Sequence, residues 1–252
     1  MVDNRDLVHR LDSTKIAKIC DRHRGVGADG LIMIEPAEGK ADLRMRYFNA
    51  DGGEVDMCGN GARCFSRFAQ RIADVQDSLR FETPAGIISA EFDGELVHLG
   101  MSGPTGLKCD HSLEVAGKWI KVHFVNTGVP HAVVFVENLV DYPVLENGRF
   151  LRHHADFAPA GTNVNFVHLF PNGTLSVRTY ERGVEDETLA CGTGVVACAL
   201  IAHLLHGLPS PVTVRVAGGD DLMVHFVADG PVFREVKLIG PADFVFEGTI
   251  AI

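Results

Sequence analysis

One short pattern occurs twice in this chain, about half its length apart, and it restricts the fold more than any other feature. Met45-Arg46-Tyr47-Phe48-Asn49 leads to Cys58-Gly59-Asn60-Gly61, and Val177-Arg178-Thr179-Tyr180-Glu181 leads to Cys191-Gly192-Thr193-Gly194. The likeness continues downstream, where Leu79-Arg80-Phe81-Glu82-Thr83-Pro84-Ala85-Gly86 is echoed by Thr213-Val214-Arg215-Val216-Ala217-Gly218-Gly219. Self-similarity on this scale predicts two copies of one structural unit.

Within each copy the pattern predicts strands, then one helix, then strands. After Cys58, the residues Cys64, Phe65, Phe68, Ala69 and Ile72 fall on one helical face and Arg63, Arg67 and Arg71 on the other. After Cys191, the run Val195-Val196-Ala197-Cys198-Ala199-Leu200-Ile201-Ala202 is apolar on every side, as in a helix wrapped by other structure. The flanking segments Ile87–Phe92, Val133–Val136, Asn163–Leu169, Leu175–Tyr180 and Leu222–Val227 are rich in β-branched and aromatic residues and end in turn formers, which reads as strands. Each half is therefore expected to curl a sheet around a central helix. The boundary is expected near Gly117, giving domains 1–117 and 118–241.

The length of 252 residues and a hydrophobic content of 46% suit two units that each bury a core. A net charge of −10 without any Lys/Arg block argues against nucleic acid and for a small-molecule substrate. The longest apolar run, Val195–Leu205, is interrupted by His203 and is shorter than the roughly 20 residues of a bilayer span. The opening residues lack the apolar stretch of a signal peptide, so a cytoplasmic protein is expected. Six cysteines at this length do not make a disulfide scaffold, so each is a candidate thiol.

Cys58 and Cys191 stand apart from the others because each precedes a Gly-x-Gly that opens a helix. There a sulfur meets unpaired backbone N–H groups and the positive end of the helix dipole, which favour the thiolate. The glycines would let backbone approach a ligand, and the same N–H groups bind a carboxylate. Two such motifs can put one sulfur on each side of a substrate carbon, a base on one face and an acid on the other. No cofactor is needed in principle, and no P-loop or dinucleotide fingerprint is present. The bland reading, a small buried hydrophobe, fits Cys20, Cys64, Cys109 and Cys198. A metal site is not expected, because Cys58/Cys64 and Cys191/Cys198 lack the close spacing of structural zinc ligands. A disulfide between Cys58 and Cys191 would inactivate the protein.

Further segments carry a resemblance. Asn49-Ala50-Asp51-Gly52-Gly53-Glu54, the stretch from Cys58 to Cys64, Pro130-His131, Gly161-Thr162-Asn163-Val164-Asn165-Phe166, Tyr180-Glu181-Arg182-Gly183 and Ala190-Cys191-Gly192-Thr193-Gly194 together resemble the diaminopimelate epimerase family. The resemblance implies an α+β fold of two pseudo-symmetric β/α domains with mostly antiparallel sheets, a last strand at about 242–252 returning to the first domain, and a homodimer. It implies a PLP-independent epimerase that converts LL-2,6-diaminopimelate to the meso form for lysine and peptidoglycan synthesis, with Cys58 and Cys191 catalytic. Asn49, Asn163, Glu181 and Arg182 would hold the substrate. Gly59, Asn60, Gly192 and Thr193 would offer backbone groups to the reacting carboxylate, and His131 and Glu181 would support catalysis. Arg182 suits a bidentate carboxylate contact and Glu181 an ammonium. The alternatives are a related amino-acid racemase or isomerase of the same fold, or a ligand-binding paralogue with reduced turnover.

Three departures qualify the match. A strand and a Gly-x-Gly-Asn-Asp-Phe segment that usually precede Asp3-Asn4-Arg5 are absent, and the native chain is expected to be longer by one strand and one loop. Gly30 stands where some members carry a binding glutamine. Val129 stands where many carry asparagine before Pro-His.

Overall fold

A computed structural model describes every residue except Met57, Ala116 and Ile252. The chain separates into one unit of residues 1–99 with the tail 241–252, and a second of residues 100–240. The first unit runs β1 (Val2–Asp3), α1 (Ser13–Cys20), β2 (Gly30–Pro36), β3 (Leu43–Asn49), β4 (Glu54–Val55), α2 (Gly59–Ile72), β5 (Ser78–Thr83), β6 (Gly86–Asp93) and β7 (Leu96–Gly100). Its sheet follows the order β1-β2-β3-β5-β6-β7, with β4 beside β3. β1·β2 and β3·β5 are parallel, and the remaining pairs antiparallel.

The apolar run of β2 is explained by burial on both faces. Leu31 and Met33 pack with Ile16 and Cys20 of α1 and with Phe48. Ile32 turns to the opposite face, toward Gly61 at the start of α2. α1 starts where the Asp12 carboxylate accepts the N–H of Lys15 at 2.9 Å, a cap worth about 1 kcal/mol.

The second unit begins with a hairpin, β8 (Thr105–Val115) and β9 (Lys118–Asn126), and then repeats the first. It runs β10 (Pro130–Phe135), α3 (Val144–Arg152), β11 (Asn163–Leu169), β12 (Leu175–Glu181), β13 (Asp186–Thr188), α4 (Gly192–His206), β14 (Val212–Val216), β15 (Asp221–Asp229) and β16 (Val232–Pro241). The pairing rules repeat too. β10·β11 and β12·β14 are parallel, β13 hangs on β12, and the other pairs are antiparallel. Leu175 pairs with Val214 as Leu43 pairs with Phe81, and Val164 with Tyr180 as Leu31 with Phe48.

Residues 194–202 of α4 are all buried, against Val125, Val133, Val167, Val177, Val214, Val224 and Leu238 from successive strands, so the sheet wraps the helix as expected. Each fully buried Leu or Ile there contributes about 1.5–3 kcal/mol. The other face of β10–β12 carries Ala132, Val134, Val164, Phe166 and Tyr180 against Val144 and Leu151 of α3.

The structure departs from the sequence reading in four ways. Among the described residues each half holds two α-helices rather than one, because α1 and α3 cover the sheet face that α2 and α4 leave open. The buried side of α2 is Ala62, Arg63, Phe65, Ser66 and Ala69, with Cys64 exposed, since the tail lies along part of the arginine face: Arg63 Nε donates to Pro241 O at 3.4 Å, and Arg71 pairs with Glu247 at 2.8 Å. The units divide at Leu99/Gly100, not near Gly117; Gly117, at φ +78°, turns the β8–β9 hairpin between the paired residues Val115 and Lys118. Residues 242–251 group with the first unit and are an extended tail with no strand pairing, where a strand is expected from the sequence.

Candidate active site

Cys58 and Cys191 occupy the same place in the two copies of the unit. Each is the extended N-cap residue of its helix, with φ/ψ of −140°/122° and −122°/104°. Its carbonyl accepts the first helical hydrogen bond, from Ala62 at 2.8 Å and from Val195 at 2.9 Å. The N–H groups of the following three residues have no acceptor within the helix, which is the anion-binding geometry of a helix start. Around Cys58 one of them is used at once, as Gly61 N donates to Sγ at 3.4 Å. Asn60 Oδ1 accepts from Arg63 Nη2 at 3.1 Å.

The second glycine of each motif has a reason different from the one read in the sequence. A Cβ on Gly194 would stand 2.4 Å from Asn165 Oδ1, and one on Gly61 would stand 2.9 Å from Ile32 Cδ1. These glycines make room for a strand side chain. Asn165 and Ile32 hold matching register positions in β11 and β2.

Period-2 geometry places His131, Asn163, Asn165 and Thr179 on the α4 side of β10, β11 and β12. His131 is fully buried, and its Nε2 lies 2.9 Å from Thr193 Oγ1. Burial, helped by the positive charge of Arg182, lowers its pKa to about 3, so the imidazole is neutral. Asn165 and Thr179 complete a buried polar group, joined at 3.0 Å. Neither was assigned a role from the sequence. Their signal was a polar residue at an inward position of an otherwise apolar strand face. Thr193 is held from a second direction by Thr127 Oγ1, which donates to its carbonyl at 2.8 Å, and its own Oγ1 is 3.6 Å from Cys191 Sγ.

The residues expected to hold substrate separate into two kinds. Asn163 makes two bonds to the backbone: Nδ2 donates to Pro130 O at 3.1 Å, and Oδ1 accepts from Arg182 N at 2.8 Å, which leaves one amide proton and one lone pair for a ligand. It shapes the β10 and β12 ends. Glu181 ends β12, accepts from Thr188 Oγ1 at 2.9 Å, and has its pKa raised by burial. Arg182 Nη1 reaches Ala160 O at 3.4 Å. Asn49, exposed at the end of β3, is the counterpart of Glu181 in the first unit.

Gly30 has no room for a side chain. A Cβ there would lie 2.4 Å from Phe48 O and 2.6 Å from Tyr47 Cε2, so the Tyr47 ring fills the place where some members carry glutamine.

Of the other thiols, Cys20 and Cys198 are buried and have raised pKa values, Cys198 well above its ordinary value, so they stay protonated. Cys64 and Cys109 are exposed rather than buried as expected. Among the described residues no group of three or more His, Cys, Asp or Glu side chains could hold a metal ion. Among the described residues no helix is long and apolar enough to cross a membrane.

The sequence matches the diaminopimelate epimerase family over residues 1–105 and 123–245. The chain belongs to that family. It is 45% identical to the diaminopimelate epimerase of Aquifex aeolicus over 94% of this chain and 85% of the relative, and 44% identical to that of Chlorobaculum tepidum over 100% and 96%. Among solved structures, a phenazine biosynthesis protein of the PhzF family from Bacillus anthracis superposes with a TM-score of 0.76 at 18% identity, over 100% of this chain and 92% of that one. A hydroxyproline epimerase from Agrobacterium vitis superposes with a TM-score of 0.68 at 18% identity, over 92% and 78%. These two share the two-domain α+β epimerase fold.

Proposed function

We propose that this member of the family interconverts LL- and meso-2,6-diaminopimelate, with Cys58 and Cys191 acting on opposite faces of one α-carbon. The observation that carries the reading is the equivalence of the two thiols, both N-cap residues of the corresponding helix in two copies of one unit. Inversion at a stereocentre needs a base on one face and an acid on the other, and a duplicated thiol supplies both.

In the LL-to-meso direction the Cys191 thiolate removes the α-proton. The electron pair passes into the adjacent carboxylate, whose growing charge meets the backbone N–H groups of Gly59, Asn60, Gly192 and Thr193 at the two helix starts. The Cys58 thiol then protonates the carbon from the other side, and the roles swap in reverse. Arg182 binds a substrate carboxylate and Glu181 an ammonium, which offsets the cost of burying Glu181 ionised. Asn49 adds polar contact from the first unit. Asn163 offers its remaining amide proton and lone pair to the substrate, and His131 acts through its neighbours. The same reading carries a homodimer in the cytoplasm, serving lysine and peptidoglycan synthesis.

The test is α-proton exchange in heavy water. LL-diaminopimelate should gain α-deuterium with the wild type, and Cys58→Ala or Cys191→Ala should slow epimerisation by at least about 100-fold. Exchange of a different amino acid with none of diaminopimelate would move the substrate assignment. Full activity in either variant would end the two-thiol mechanism.

A further inference from the structure

We infer that Thr179, Asn165, His131 and Thr193 form one directed hydrogen-bond chain whose donors all point toward the Cys191 sulfur, making Asn165 and Thr179 positioning residues for that thiol's charge. The inference rests on the reading of Cys191 as a reacting thiol and adds what sets its ionisation.

The direction follows from one group that can only accept. Asn165 Nδ2 is 3.0 Å from the carbonyl of Ala132, so the nitrogen of the amide must face that way. Its second proton goes to His131 Nδ1 at 3.1 Å. Asn165 Oδ1, on the opposite side, accepts from Thr179 Oγ1 at 3.0 Å. With Nδ1 accepting, a neutral imidazole carries its proton on Nε2, and Nε2–H donates to Thr193 Oγ1 at 2.9 Å. The Thr193 hydroxyl, already accepting, directs its own proton to Cys191 Sγ at 3.6 Å.

Except at Thr193 the chain is buried, and in such surroundings each donor polarises the next and a bond to an anion is strengthened. Arg182 is a charged group acting here that helps keep His131 neutral, and Cys198, buried and protonated, lies near Cys191. His131 is then a relay that donates and takes up no proton in the reaction. The repeat does not carry this chain, because Ile32 and Tyr47 stand at the positions of Asn165 and Thr179. The two halves share the thiol and differ in what supports it.

The test uses the full-length protein labelled with ¹⁵N-histidine and ¹³Cβ-cysteine, the Cys191 resonance being assigned by its loss in Cys191→Ser. The wild type should show His131 as the Nε2–H tautomer from pH 5 to pH 9. Thr193→Val should raise the titration midpoint of Cys191 by about one pH unit, a tenfold loss of thiolate at fixed pH, and Thr193→Ser should restore it. Asn165→Asp, which accepts where asparagine donates, should flip the tautomer and raise the midpoint as well. An Nδ1–H tautomer in the wild type, or a Cys191 midpoint unmoved by Thr193→Val, would overturn the chain. Should Asn165→Asp fail to fold, the wild-type tautomer and the Thr193 pair still decide. Failure of the two-thiol reaction would look different: Cys191→Ala would keep full α-proton exchange whatever the titration shows.

Discussion

At the scale of single residues, the two motif glycines answer to different neighbours and should respond differently to a methyl group. Asn165 is fixed by Ala132, His131 and Thr179 and cannot yield to a Cβ 2.4 Å from its Oδ1. Gly194→Ala is expected to destabilise by about 1–3 kcal/mol, read from urea unfolding midpoints. Gly61→Ala is crowded by the free end of the Ile32 side chain, with Cys58 Cβ and Met45 Cε at ordinary contact distance, and the better helix propensity of alanine offsets the crowding, so a change below about 0.5 kcal/mol is expected. His131 makes a second prediction. Its folded pKa of about 3 lies below the usual 6.5, so between those values the unfolded chain binds a proton that the native protein does not. Stability is complete above pH 6.5 and falls with pH down to about 3, by up to about 1.4 kcal/mol per pH unit from this residue. His131→Gln should flatten that part of the urea-midpoint profile, and an unchanged slope would show that another group sets it. Cys58 and Cys191 were legible in the sequence because helix capping is local. Asn165 and Thr179 were not, because only strand pairing brings them beside a helix start.

At the scale of elements, α2 depends on a segment far from it in sequence. Its arginine-bearing side, which reads as solvated, is partly covered by the tail. Phe244 meets Phe68 edge-on with ring centroids 6.3 Å apart and carries the Arg71 guanidinium 4.9 Å from its own centroid. Phe244→Ala should therefore cost about 1 kcal/mol, measured by urea unfolding of the full chain. No loss would mean that the tail lies on α2 without supporting it. The helix itself was legible from its periodicity; which side is buried was not, because the tail is supplied by tertiary structure. α4 is the opposite case, since a run apolar on every side leaves burial as the only option. β11 and β12 came out at or within a residue of the expected spans, whereas α1 and α3, of eight and nine residues, were missed as too short for a clear period.

At the scale of the whole molecule, the proposed reaction requires two sulfurs from different units to reach one carbon. If one carbon is served by both thiols as proposed, mild oxidation should join Cys58 to Cys191 with loss of activity, and reduction should restore it. Peptide mass analysis under non-reducing conditions reads the link directly. Failure of any oxidant to join them, with activity intact, would separate the thiols from a common substrate. The duplication explains why there are two thiols, and the divergence around His131 explains why they need not be equivalent.

The sequence by itself determined the repeat, the two helix starts with their cysteines, the wrapped second helix and the family, because each is read from short stretches of chain whose pattern needs no strand register to be recognised. Tertiary structure alone decided the place of the unit boundary, the role of the tail, the lack of space at Gly30 and the buried polar chain behind Thr193. Those depend on strand register and on close approach between distant segments, which local pattern does not encode.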